Sequence, residues 1–167
     1  QPAPMVFAGK VLADVVRLIK GDRYRSRLIS KIMFGAYNKH IKNVRTVNDW
    51  LTRDEAVVDE YNAGKLTTFL FTVNGYRGLM NMILYVRKPR NIERIPKNLP
   101  MLMISGLDDP VGEYGKGVYR AYNSYHGHID DIDLRLYEDC RHELCNELNK
   151  EEIYEEIYGW IMNHMSK

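Results

Sequence analysis

Apolar residues recur at three- and four-residue spacing as far as Pro89, and beyond it they gather into two short runs of strand character. From Met5 to Lys20, the residues Met5, Ala8, Val11, Leu12, Val15, Val16, Leu18 and Ile19 make a broad apolar face, while Lys10, Asp14 and Arg17 form a polar stripe at helical spacing. Gly21 is placed to end that helix. Ser26 is placed to cap a second, carrying Leu28, Ile29, Ile32, Met33, Ala36 and Tyr37. Thr52-Arg53-Asp54-Glu55 fits a capping box opening a short third helix. A fourth covers Val73 to Val86 and stops at Lys88-Pro89, because the residue before a proline is pushed out of the helical region. No segment of this half reads as a strand.

After Pro89 the pattern changes. Asn91 to Asn98, with Pro96, reads as a polar connector. Met101 to Ile104 is continuously apolar, as in a strand covered on both faces. Gly115 and Gly117 lead into a helix bearing Val118, Ala121, Tyr122 and Tyr125. Ile132, Leu134 and Leu136 then alternate with Asp133, Arg135 and Tyr137, the signature of a strand with one wet face. A last helix follows Asn149, with Glu152 three residues on and Ile153, Ile157, Trp160 and Ile161 along one side. This strand–helix–strand–helix order calls for a right-handed crossover and parallel strands. Two strands do not make a stable α/β sheet alone, so the chain reads as the tail of a larger sheet. Its first residue, Gln1, is not methionine, which fits excision from something longer.

Composition places the 167 residues among ordinary globular proteins, with 45% hydrophobic and 28% charged residues. Nothing approaches the roughly 20 apolar residues needed to span a bilayer, and no signal-peptide pattern opens the chain. Cys140 and Cys145 are too few for a disulfide framework and lack metal-type spacing, which points to reduced thiols in a cytoplasmic protein. The net charge of +2 conceals an asymmetry: residues 1–50 hold ten Lys/Arg against three acids, so +7, and the remainder holds 14 against 19, so −5. Such a basic half reads as the charged outer faces of amphipathic helices, or as a peripheral contact with anionic lipid. No nucleic-acid partner is expected.

The candidate chemistry lies in the second half. Leu107-Asp108-Asp109-Pro110-Val111 follows the first strand, and Asp139-Cys140-Arg141-His142-Glu143 follows the second. Two successive parallel strands thus each deliver an ionisable residue at the carboxyl end, where α/β sheets build their sites. Taken singly, Asp109 is equally a turn residue before proline, and His142 equally a surface or helix-cap histidine. Taken together they make an acid–base pair. A serine-type hydrolase would need a G-x-S-x-G turn as well, and the 167 residues contain none. Ser26, Ser30, Ser124 and Ser166 fall in helices, caps or the tail, and Ser105 ends a strand without the elbow glycines. His126-x-His128 with His142 is a weak metal candidate, and a solvated loop accounts better for the close pair. No metal or cofactor is expected.

Leu102-Met103-Ile104-Ser105-Gly106-x-x-Asp109-Pro110-Val111-Gly112 and Tyr137-Glu138-Asp139-Cys140-Arg141-His142-Glu143-Leu144-Cys145-Asn146-Glu147 resemble the end of a bacterial α/β-hydrolase. The resemblance is to the monoacylglycerol lipase/lysophospholipase group, also described as serine aminopeptidase S33-like. Lys20-Gly21-Asp22-Arg23-Tyr24-Arg25-Ser26 and Asp49-Trp50-Leu51-Thr52-Arg53-Asp54-Glu55 are similar to that group's helical cap. The resemblance implies residues 1–90 as the cap or lid and residues 91–167 as the C-terminal part of the α/β core: the last two parallel strands and their helices, an incomplete sheet. It further implies Asp109 as triad acid, with Asp108 the alternative, His142 as base, and a nucleophilic serine and oxyanion donors preceding Gln1. The sequence departs from the family at Asn62-Ala63-Gly64-Lys65-Leu66, where an Asp-Pro turn is expected. An acyl-ester or lipid substrate follows, with Met33, Phe34, Phe69, Phe71, Met80 and Met82 as candidates for an acyl channel. The partner is the missing N-terminal half. The alternative is a non-catalytic binding or assembly module that pairs with another copy through its open sheet edge.

Overall fold

Two separate apolar clusters organise the chain, one in each half. A computed structural model describes residues 2–165; Gln1, Ser166 and Lys167 lie outside the described residues. In the first half, α1 (Ala3–Lys20) lies against α4 (Val73–Val86), with α2 (Arg27–Phe34) alongside. Val6 and Ala13 of α1 bury against Val73, Tyr76 and Met80 of α4 and Ile29 of α2. Arg77 of α4 donates to Asp14, which also accepts from Lys10 Nζ at 2.7 Å. None of the eight residues of the broad apolar face read from the sequence is buried; the buried positions of α1 are Val6 and Ala13. Leu12 and Val16 are partly covered, while Met5, Val11, Val15, Leu18 and Ile19 are exposed.

The helix ends follow ordinary capping chemistry, with one displacement. Gly21 (φ 84°) closes α1, its N–H donating to the Arg17 carbonyl at 2.8 Å. Ser26 Oγ accepts from Ile29 N at 3.3 Å and opens α2. The cap of α3 (Glu55–Ala63) is Asp54 rather than Thr52: Asp54 Oδ1 accepts from Ala56 N at 3.0 Å. The Thr52 hydroxyl is drawn away because it donates to the Asn146 carbonyl at 2.8 Å, a tertiary bond that overrides the local motif. Leading into the predicted polar connector, α5 (Pro89–Ile92) forms a single turn, for which a proline at the first helical position is preorganised. Among the described residues of this half, the one β-feature is an isolated antiparallel bridge, Arg25 to Thr72.

The second half is the expected strand–helix–strand–helix unit: β1 (Met101–Gly106), α6 (Lys116–His126), β2 (Ile132–Tyr137), a 3₁₀ turn (Leu144–Asn146) and α7 (Lys150–Met165). The strands pair in parallel with Met101 beside Ile132 and Gly106 beside Tyr137. Cys140, Leu144 and Ile153 form its buried cluster, with Ile104, Tyr137 and Ile157 packed on it. The face of β2 expected to be wet is only partly covered by α7, and Arg135 remains exposed. Trp160 Nε1 donates to Asp133 at 2.8 Å and the Tyr137 hydroxyl donates to Glu156 at 2.8 Å, so the polar alternation reads as helix contact. β1, expected to be covered on both faces, is only half-buried along Met101–Ile104 among the described residues. Among these residues no helix is long and apolar enough to cross a membrane.

Where the strands end, the backbones come very close. Leu107 N donates to the Tyr137 carbonyl at 2.8 Å and Asp108 N to the Cys140 carbonyl at 2.9 Å. A Cβ on Gly106 would overlap the carbonyl oxygens of Cys140 and Arg141, so only glycine fits. Gly106→Ala is expected to force the two strand ends apart and to cost about 1–3 kcal/mol, as overpacking against rigid backbone does. Urea unfolding of the variant beside the parent measures it.

Candidate active site

The loops leaving β1 and β2 bring Asp109 and His142 into contact, with His142 Nδ1 at 3.1 Å from Asp109 Oδ2. Asp109 is buried (5% exposed), whereas its neighbour Asp108 is exposed. Of the two, it is Asp109 that meets the imidazole. The other carboxylate oxygen, Oδ1, accepts from Val111 N at 2.7 Å, which fixes the plane of the group. Downstream, Glu113, Tyr114 and Gly115 all have positive φ (54°, 55° and 81°). A bulky residue such as Tyr114 rarely adopts that region, and strain of this kind persists only where surrounding contacts impose it. Here Tyr114 N donates to the Asp109 carbonyl at 2.9 Å, and its ring meets His40 edge-on at 4.9 Å. Burial, with the nearby Asp108 and Asp109 charges, pushes the Tyr114 phenol up.

His142 has a side chain 38% exposed, so its ring is open to solvent while the Asp109 carboxylate beside it is hidden. The hydrogen bond to Asp109 raises its pKa above the ordinary histidine value, against an opposing effect of burial. If Nδ1–H donates to Asp109, Nε2 is the ring nitrogen through which a proton is exchanged. The adjacent backbone is held from below by Glu147, fully buried. Its carboxylate accepts from Arg141 N at 2.7 Å and Arg53 Nε at 2.8 Å. Trp50 lies against the imidazole with ring centroids 5.2 Å apart. Sequence reasoning did not assign site roles to Trp50, Arg53, Tyr114 or Glu147. Trp50 and Arg53 stand about ninety positions before the residues they serve, and spacing carries no sign of that.

The remaining candidates are scattered. Ser26 and Ser30 belong to α2 and its cap, and Ser124 Oγ donates to the Arg120 carbonyl within α6 at 2.9 Å. Ser105 is buried at the end of β1, its hydroxyl directed to the Gly106 carbonyl. His128 Nε2 lies 2.7 Å from the Ile95 carbonyl and His126 packs near Tyr122. Among the described residues no three His, Cys, Asp or Glu side chains cluster as metal ligands. Cys140 is fully buried, and burial pushes its thiol up, which suits packing rather than nucleophilic attack. The apolar channel candidates do not form one group: Met80 is in the helical core with Met33 and Phe34 packed on it, whereas Phe69, Phe71 and Met82 are exposed.

The sequence pattern of the family described as serine aminopeptidase, S33 (Hydrolase_4) matches residues 3–149. The chain belongs to that family. Among solved structures, this S33-family chain is similar to a thermostable carboxyl esterase from Bacillus coagulans in complex with glycerol, at 21% identity and TM-score 0.82, covering 98% of the chain and 52% of the esterase. It is also similar to a lipase in its open form (19% identity, TM-score 0.81, 95% of this chain and 51% of the lipase). A soluble variant of monoglyceride lipase from Saccharomyces cerevisiae, bound to a substrate analogue, matches at 15% identity and TM-score 0.56, covering 89% of this chain and 51% of that one. No curated protein matches. These likenesses establish the α/β-hydrolase fold, of which the S33-family chain spans about half the length of the structures it resembles.

Because folding raises the His142 pKa, the contact with Asp109 stabilises the folded chain when the ring is protonated. Its contribution is complete below the ordinary histidine range and is lost as pH climbs through the raised folded value. The stability difference between the parent and His142→Gln is therefore expected to be larger at about pH 5.5 than at about pH 9. Urea unfolding at the two pH values measures it.

Proposed function

We propose that this chain supplies the general base and the orienting acid of a serine carboxyl-ester hydrolase of lysophospholipase or monoacylglycerol lipase type, with residues 1–90 as its cap. In this reading the nucleophilic serine lies outside the 167 residues. The observation that carries it is the 3.1 Å contact between Asp109 and His142 at the carboxyl rim of two parallel strands. The S33 family match supports it, as do solved neighbours described as a carboxyl esterase, a lipase and a monoglyceride lipase.

The chemistry follows from the pair. Asp109 accepts a hydrogen bond from Nδ1–H and so fixes the tautomer that leaves Nε2 basic. Nε2 takes the serine hydroxyl proton as the oxygen attacks the ester carbonyl, and the carboxylate stabilises the resulting imidazolium. The imidazolium then returns the proton to the departing alkoxide as the C–O bond breaks. Water repeats the cycle on the acyl-enzyme, releasing the carboxylic acid and the free serine. A buried acid and an open imidazole suit these tasks, since one must stay fixed and the other must exchange protons with a substrate.

In the protein expressed from its full reading frame, His142→Ala is expected to lower kcat on a short-chain p-nitrophenyl ester by about 10³-fold or more, as loss of a triad base does. Activity close to the parent's would remove the assignment.

A further inference from the structure

Resting on the hydrolase reading above, we propose that the segment Asp49–Arg53 is the positioning element of the base, so that the helical half of the chain sets where the His142 ring stands. The pattern of contacts is alternate. The carbonyls of Asp49 and Thr52 both accept from Arg141 Nη1, at 2.7 and 3.0 Å, and the carbonyl of Leu51 accepts from Glu143 N at 2.7 Å. Both chain neighbours of His142 are thereby tied to one short stretch. From the middle of that stretch, Trp50 presents its indole to the imidazole, 5.2 Å between centroids and tilted by 47°.

The segment is itself rigid. The Asp49 carboxylate accepts from Arg45 N at 2.6 Å and from the Thr46 hydroxyl at 2.6 Å, and Arg53 is paired to the buried Glu147. Tyr37 meets the Trp50 ring edge-on at 4.9 Å from the other side. Three groups act on the imidazole: the Asp109 carboxylate at Nδ1, the Glu143 charge from its own loop, and the Trp50 π-face from the helical half. The carboxylate fixes one ring nitrogen but leaves rotation about that bond free. An aromatic surface against the ring removes that freedom. It also favours the imidazolium, since the spacing lies inside the roughly 6 Å over which an aromatic face attracts a cation. Trp50 is thus a positioning residue that acts through His142.

The test uses the protein expressed from its full reading frame, with two readouts. The first is the titration of the His142 ring followed by NMR, its signals assigned by their loss in His142→Gln. Trp50→Leu keeps an apolar cover but removes the π-face, and is expected to move the His142 midpoint downward; Trp50→Phe is expected to restore it. Arg141→Lys keeps the charge, loses the two-carbonyl grip and is expected to move the midpoint the same way, which keeps the test open should Trp50→Leu not fold. The second readout is hydrolysis of a short-chain p-nitrophenyl ester, where Trp50→Leu is expected to lower kcat about tenfold with KM changed less than about twofold, as mispositioning of a base does. An unchanged His142 midpoint in both Trp50→Leu and Arg141→Lys overturns the proposal, even if His142→Ala abolishes hydrolysis and so upholds the hydrolase reading. A shifted midpoint in a protein that hydrolyses no ester upholds the positioning of His142 and overturns the hydrolase reading instead.

Discussion

The carboxylate of Glu147 has no exposure to solvent, and the chain meets that charge with N–H donors from Arg53 and from the backbone of Arg53, Arg141 and Leu148. A buried carboxylate is tolerable only with such a full set of partners, because desolvating an unpaired charge costs several kcal/mol. The partners come from positions 94 residues apart in the sequence, so the ion pair also joins the helical half to the sheet half. Arg53 continues the link to Asn149 Oδ1 at 2.8 Å, at the entrance of α7. The anchor joins the other ties on the loop after β2, from Arg141 Nη1 to the Asp49 and Thr52 carbonyls and from Glu143 N to the Leu51 carbonyl.

On that anchor the rim of the sheet becomes a place where two loops are forced to meet. The parallel register ends both strands at one level, and the absent side chain at Gly106 lets the loop after β2 pass over the end of β1. Asp139, with φ 54°, turns the chain back at the point where Cys140 accepts from Asp108 N. An aspartate tolerates that left-handed conformation better than most residues. Each step is local, yet together they bring a carboxylate and an imidazole from 33 positions apart to hydrogen-bonding distance.

Much of the architecture was legible because it follows from period and punctuation. The helix starting at Val73 and stopping before Pro89, the strand at Met101 and the alternation at Ile132 are all local signals. Asp109 and His142 were legible because each stands just past a strand, where position alone implies a neighbour. What the sequence concealed were effects of tertiary partners. Thr52 has the right spacing to cap α3 and instead bonds to Asn146; Asp133 and Tyr137 are polar and lie beneath α7. The apolar residues of α1 gave no hint of which edge would face α4, since Phe7 and Val6 are equally hydrophobic and only Val6 is buried. The contacts of Trp50, Arg53 and Glu147 connect distant segments, and no periodicity records them.

Both tryptophans of the chain rest on imidazoles: Trp50 against His142, and Trp160 stacked on His164 with centroids 4.0 Å apart. A charged imidazole quenches indole emission at such range, so the emission of Trp50 is tied to the protonation of the His142 ring, whose pKa the Asp109 hydrogen bond raises. Trp50 emission will dim as that ring gains its proton. An acid-induced loss of signal therefore carries a contribution from His142 protonation, which circular dichroism on the same samples separates from unfolding.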